Sequence, residues 1–389
     1  MTEAAAKVEK VDLHTDPGVL ADLRSRLRST RWSDAPEDAG WSLGADVDYL
    51  RELTRYWADD FDWTAREAEI SRLPHRRVTV GGLGIHVIHA RADAASPSPM
   101  PLLLTHGWPD SSWRYLKVIP MLADPGAHGG DPADAFDVVV PELPGFGYSG
   151  RPGTPLDSVA VAGLWAELMT ALGYDRFAAA GGDLGSHVSR YLALDHPDRV
   201  AAVHRTDAGL PRFAGDLSEL TAEERAWIDE TARWGASEGA YAAIQRTKPQ
   251  TAAVGLTDSP AGLAAWIVEK LRSWSDCGGD LESVFTKDDV LTLVTQYSVT
   301  GTIGSSMRMY HANAAIPPEQ LARRVEVPSG FSIFSGDLVR PPRAWLERMT
   351  NLARYSVVDK GGHFAPYEVP ELYVRELRDF FRPYRTGTA

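Results

Sequence analysis

Asp183 stands among small residues at a point where the chain changes character. Phe177-Ala178-Ala179-Ala180 is short and apolar, as a buried strand is, and Val188-Ser189-Arg190-Tyr191-Leu192-Ala193-Leu194 has apolar residues at helical spacing. Between the two runs lies Gly181-Gly182-Asp183-Leu184-Gly185. This is the G-x-S-x-G strand-to-helix turn with a carboxylate in the serine position. Glycine on either side lets such a turn close and pushes the central side chain out past the end of a sheet. A carboxylate, with an ordinary pKa of about 3.9, is ionised at neutral pH and can attack carbon without a base to activate it. The plainer reading is a helix cap, a common use of Asp before a helix.

Three other stretches favour chemistry. His106-Gly107-Trp108-Pro109 directly follows the apolar run Leu102-Leu103-Leu104-Thr105. A turn there can aim the Trp108 N–H into a cleft, and with the Leu184 N–H it would form an oxyanion hole. Trp108-Pro109 is also a candidate cis peptide. Gly336-Asp337 follows the strand-like Phe331-Ser332-Ile333-Phe334, and Gly361-Gly362-His363 follows Tyr355-Ser356-Val357-Val358. Nucleophile, acid and histidine therefore come in the order Asp183, Asp337, His363, each just past a strand. An aspartate beside a histidine orients the imidazole to take a proton from water. His106 and His187 are expected near the site, but no His, Cys and Asp group has metal-ligand spacing, so neither a metal nor an organic cofactor is expected.

These residues need a sheet to bring them together. Val78-Thr79-Val80, a Gly81-Gly82 turn and Ile85-His86-Val87-Ile88-His89 read as paired strands, followed by a Pro/Ser/Ala-rich loop over 94–101. Strands at 102–105, 138–140 and 177–180 alternate with helical patterns such as 159–172, which predicts an α/β fold with a mainly parallel sheet. Residues 217–313 read as helices without strands, opening on the capping-box pattern Thr221-Ala222-Glu223-Glu224, after which strands resume at 330–334 and 355–358 and a helix runs over 370–381. The first 75 residues carry Trp32, Trp41, Trp57 and Trp63 and two amphipathic patterns, after Asp16-Pro17 and from Asp46 to Trp57. The expected organisation is an N-terminal wrapping segment (1–75), an α/β core in two parts (76–214 and 316–389) and a helical lid between them (215–315).

Taken together, these motifs resemble the microsomal-type epoxide hydrolases of the α/β-hydrolase fold. The match extends to Gly145-Phe146-Gly147-Tyr148-Ser149, to the lid stretches around Gly239-Ala240-Tyr241, Asp258-Ser259-Pro260 and Ser305 to Tyr310, and to Thr30-Arg31-Trp32, so it covers nearly the whole chain. The resemblance implies that Asp183 opens an epoxide to give an ester, and that His363, oriented by Asp337, directs water at it. It also implies that the lid tyrosines Tyr241 and Tyr310 donate to the epoxide oxygen and, with Trp108, contact the substrate. It departs from the mammalian membrane-bound members at Leu184, where they carry tryptophan, and in having no N-terminal membrane anchor. Bacterial relatives of this type include enzymes that open aryl epoxides in natural-product pathways such as those to enediyne antibiotics. The Ala-, Arg- and Gly-heavy composition suits a high-GC bacterium.

Composition narrows the alternatives. The 389 residues, 44% hydrophobic and 24% charged, suffice for a sizeable globular core. A net charge of −13 argues against nucleic acid and anionic membrane surfaces as partners, leaving a small-molecule epoxide and room for a homodimer. The single cysteine, Cys277, allows no internal disulfide, and the lack of a signal-like or membrane-spanning run points to the cytoplasm. Within the same fold, a haloalkane dehalogenase also uses an aspartate, but it needs halide donors, often an indole beside the nucleophile where Leu184 stands. A catalytically silent binding protein of this fold would be expected to have lost part of the set Asp183, Asp337 and His363.

Overall fold

The computed structural model describes residues 7–93, 96, 98–209 and 217–385, and among these nine strands hydrogen-bond into one sheet. They are β1 (Val8–Lys10), β2 (His75–Val80), β3 (Leu83–Ala90), β4 (Met100–Thr105), β5 (Phe136–Pro141), β6 (Phe177–Gly181), β7 (Val200–Arg205), β8 (Val325–Phe334) and β9 (Thr350–Val358). Across the sheet they run β1-β2-β3-β5-β4-β6-β7-β8-β9. Pairing is antiparallel from β1 to the β3–β5 seam and parallel from β5 to β9. The turns that leave β4, β6, β7, β8 and β9 therefore share one edge, and that edge carries the candidate residues.

The continuous apolar runs of β4, β5 and β6 follow from burial on both faces. Leu103, Val139 and Ala179 join one core cluster with Val161, Trp165 and Val188 of the helices Ser158–Ala171 and Leu184–Asp195. Leu102, Val138 and Ala178 point the other way, into a cluster with Val118, Ile119 and Leu122 of Val118–Ala123 and Leu377 of Pro370–Phe381. The period of two residues along each strand thus fills two separate layers.

Two strands go beyond the sequence reading. β1 is a three-residue edge strand, exposed throughout and without an apolar pattern. β7 is fully buried, but its run ends in His204-Arg205, which hides it as a strand. β4 begins at Met100, inside the stretch read as a loop, and residues 94, 95 and 97 of that loop lie outside the described residues, as does the expected boundary at 214/215. β8 and β9 begin earlier than the apolar runs that announce them.

Six helices between β7 and β8, from Ala222–Glu238 to Ile303–Asn313, lie over the carboxyl edge of the sheet, and the Thr221–Glu224 capping box forms as its pattern predicts. The N-terminal helices Pro17–Arg28 and Val47–Asp59 are capped by Asp16 and Asp46. Together with Trp63–Ile70 they pack against the helices Pro260–Trp274 and Lys287–Thr300, while β1 extends the sheet. No helix among the described residues is long and apolar enough to cross a membrane.

A buried ion pair locks the loops beneath the site. Asp110 and Arg114 are both fully enclosed and hydrogen-bonded to each other. Burial works against the charge on Asp110, and Arg114 overcomes it, holding the carboxyl at about 2. Asp110 also accepts the Gly107 N–H at 2.8 Å, and Arg114 donates to the carbonyl of His363. Asp110→Ala strands the guanidinium without its partner and should lower the unfolding free energy by about 3–5 kcal/mol. Urea denaturation checks this. A loss below about 1 kcal/mol would mean that the pair barely stabilises the native state.

Candidate active site

β6 ends at Gly181, and the helix Leu184–Asp195 starts immediately after Asp183. Asp183 takes φ 55° and ψ −128°, a conformation that few non-glycine residues adopt and that marks an over-determined turn. Its side chain makes no cap bond to the helix, so the plainer reading of this residue fails. Close approach explains the flanking glycine: a Cβ at Gly185 would meet the Thr105 carbonyl oxygen at 1.9 Å. At Gly107 the same addition would lie 2.4 Å from Asp183 Oδ1.

The Trp108 N–H donates to Asp183 Oδ1 at 2.8 Å, and the Leu184 N–H lies close enough to help stabilise the same carboxylate. The two donors expected to form an oxyanion hole thus converge on the nucleophile candidate. Trp108-Pro109 is cis. The Trp108 indole is fully buried beneath Tyr241 and Tyr310, while its backbone N–H reaches Asp183. His106 is buried below, between Asp110 and Glu142.

His363 bridges two carboxylates. Its Nδ1 lies 2.9 Å from Asp337 Oδ1, and its Nε2 lies 3.5 Å from Asp183 Oδ2. Burial disfavours the imidazolium, but the charge of Asp337, the nearby Asp183 carboxylate and the hydrogen bond to Asp337 outweigh it, raising His363 to about 10. Burial also opposes the Asp183 anion, yet His363 and the two backbone donors hold its pKa below the ordinary value. The resting site therefore holds an ionised carboxylate against a protonated imidazole.

Tyr241 and Tyr310 come from two helices of the layer above, Ala240–Thr247 and Ile303–Asn313, and meet over this pair. Tyr241 stacks on Trp108 with ring centroids 5.3 Å apart, and Tyr310 meets the same indole edge-on at 6.0 Å. Burial and then the negative charge of Asp183 raise both phenols, which keeps them protonated and able to donate. Both tyrosines, Asp183, Leu184, Asp337 and His363 line one cavity of about 540 Å³. Trp234, Ile316, Leu338 and Trp345 supply much of its apolar wall. His187 also lines the cavity. Among the described residues no group of three His, Cys, Asp or Glu side chains is placed to hold a metal ion.

Asp207, just past β7, was not read from the sequence. Its Oδ2 accepts the backbone N–H of Asp183 at 2.7 Å and its Oδ1 that of Gly209 at 2.9 Å, so it fixes the Asp183 turn from behind. Burial raises its pKa, opposed by Arg205 and reinforced by Asp337 and Asp183. Charged residues directly after an apolar Val-Ala-Ala-Val run were the available signal.

The comparisons with known proteins follow this geometry. The family description "Epoxide hydrolase N terminus" matches residues 8–115, and "alpha/beta hydrolase fold" matches 100–235. A protein of Stigmatella aurantiaca that carries a provisional epoxide hydrolase name is 39% identical over 368 residues, covering 94% of this chain and 83% of that one. Epoxide hydrolase 1 of Sus scrofa is 33% identical over 97% of this chain and 90% of its own length. The chain belongs to the epoxide hydrolases. Its fold is the α/β-hydrolase fold, as the motifs implied: the crystal structure of juvenile hormone epoxide hydrolase from Bombyx mori superposes with a TM-score of 0.89 at 26% identity, covering 99% of this epoxide hydrolase and 96% of that chain.

Proposed function

We propose that this epoxide hydrolase works through a covalent ester on Asp183. The observation that carries the reading is the 3.5 Å approach of His363 Nε2 to Asp183, with two backbone N–H groups already on that carboxylate and two phenols in the same cavity. Asp183 attacks a ring carbon, the C–O bond breaks, and the leaving oxygen takes a proton from the Tyr241 and Tyr310 pair. Alkylation neutralises Asp183, removing one of the two charges that hold His363 protonated, so the imidazole pKa falls. The proton it sheds restores the phenol. Neutral His363 then takes a proton from water, which attacks the ester carbonyl, while the Trp108 and Leu184 N–H groups stabilise the oxyanion. Collapse releases the diol and returns Asp183 as a carboxylate beside an imidazolium. The balance is one epoxide plus one water to one vicinal diol, with no cofactor.

The substrate in this reading is a bulky or aryl epoxide. The cavity volume and the Trp234 and Trp345 walls support it. The motif resemblance to bacterial enzymes that open aryl epoxides in natural-product pathways supports a place in secondary metabolism. The mechanism is tested by a single turnover of styrene oxide in ¹⁸O-water with enzyme in excess. The expected diol is unlabelled, because its new oxygen comes from Asp183, and a peptide containing Asp183 gains the label. A diol labelled in the first turnover would mean direct attack by water and would overturn the ester.

A further inference from the structure

Arg205 closes β7, hydrogen-bonded in register with Gly181, and so stands one strand away from the Asp183 turn. It lines the catalytic cavity and is only 3% exposed. Its Nε donates to Ser186 Oγ at 2.8 Å, which fixes the guanidinium against the first turn of the helix that follows Asp183. The Phe331 ring lies with its centroid 5.1 Å from Cζ. Among the described residues its buried Nη2 has no hydrogen-bond partner.

The described polar neighbours of Arg205 are engaged elsewhere. Asp207, the nearest acid in sequence, gives both oxygens to backbone N–H groups of Asp183 and Gly209. Arg190 also lines the cavity, but its Nη2 is spent on the carbonyls of Leu321 and Arg323. A buried cationic donor without an acceptor is costly to keep, and a cavity group that supplies the acceptor removes the cost. Burial lowers Arg205 only to about 10, so it remains charged at neutral pH.

We propose that Arg205 is a substrate-anchoring residue, and that this enzyme selects epoxides bearing a carbonyl or carboxylate oxygen in addition to the oxirane. Nη2 binds that oxygen while the apolar wall takes the rest of the substrate, which fixes the ring carbon presented to Asp183. The inference rests on the epoxide-opening reading above and adds a polar requirement to an otherwise aryl-shaped cavity.

The test compares kcat/KM for styrene oxide with that for styrene oxides carrying an acetyl or a carboxylate group at the meta or para position. The wild type should favour at least one acceptor-bearing isomer by about tenfold or more, the usual worth of a hydrogen bond to a charged group. Arg205→Met should bring that ratio close to one, whatever happens to the absolute rates. Arg205→Lys should keep more of the preference for the carboxylate than for the ketone, because it keeps the charge but loses the planar fork. Equal kcat/KM for all substrates with the wild type overturns the proposal without needing any variant to fold. A parallel fall for both substrates in Arg205→Met, with the ratio unchanged, overturns it too, since that is the signature of a structural role. Styrene oxide itself separates the two readings: no diol from it or from its derivatives counts against the epoxide-opening reading, whereas diol without preference counts against Arg205 alone.

Discussion

The His363→Gln protein should consume about one epoxide per site and then stop. Alkylation needs an ionised Asp183 and a proton for the leaving oxygen, and neither step uses the imidazole as a base. Glutamine removes the positive charge that His363 holds beside Asp183, which lets the carboxyl pKa rise, but the Trp108 and Leu184 N–H groups still favour the anion. Ester hydrolysis does need the base, and losing it should slow steady-state diol formation by roughly 10³–10⁴-fold. Intact-protein mass spectrometry after mixing with styrene oxide should find the chain heavier by one epoxide, with the added mass on the Asp183 peptide. An inactive protein that stays unmodified would place His363 in the first step instead. Near-normal turnover would mean that another base serves.

The parts of this site that were legible in the sequence share a physical cause. Asp183, Asp337 and His363 each lie just past an apolar run, and parallel strands deliver such residues to one edge whatever the details of the loops. Helix starts at Asp16, Asp46 and Thr221 were legible because a cap is a local bond between neighbours. Arg205 and Asp207 were not, because a strand that ends in His204-Arg205 looks like a surface segment until its burial is known. The packing of the Trp108 side chain was not legible either, because Tyr241 and Trp274, which lie over the indole, are far along the chain. β1 pairs through three exposed residues, so nothing in its own composition announces it.

Asp183→Asn should abolish diol formation, lowering kcat by at least about 10⁴-fold, because an amide is not a nucleophile toward carbon in this setting. Asparagine is preferred to alanine as the replacement on structural grounds. It tolerates the φ of 55° and keeps an oxygen to accept the Trp108 and Leu184 N–H groups, so a lost activity is not a lost turn. The same variant has a second use. An uncharged side chain at 183 reproduces the electrostatics of the alkylated enzyme, with Asp337 left as the one directly bonded carboxylate on His363. His363 should therefore titrate well below the value of about 10 that it has beside the Asp183 anion, moving toward the range where an imidazole can act as a base. Proton NMR of the imidazole across a pH series reads this directly. If His363 were still to titrate near 10 in the variant, Asp337 alone would be holding the proton, and the link between alkylation and base formation would be lost. Activity within tenfold of the wild type would remove Asp183 as nucleophile altogether. A large loss of turnover with a lowered imidazole pKa is the pair of results that ties one charge to both halves of the reaction.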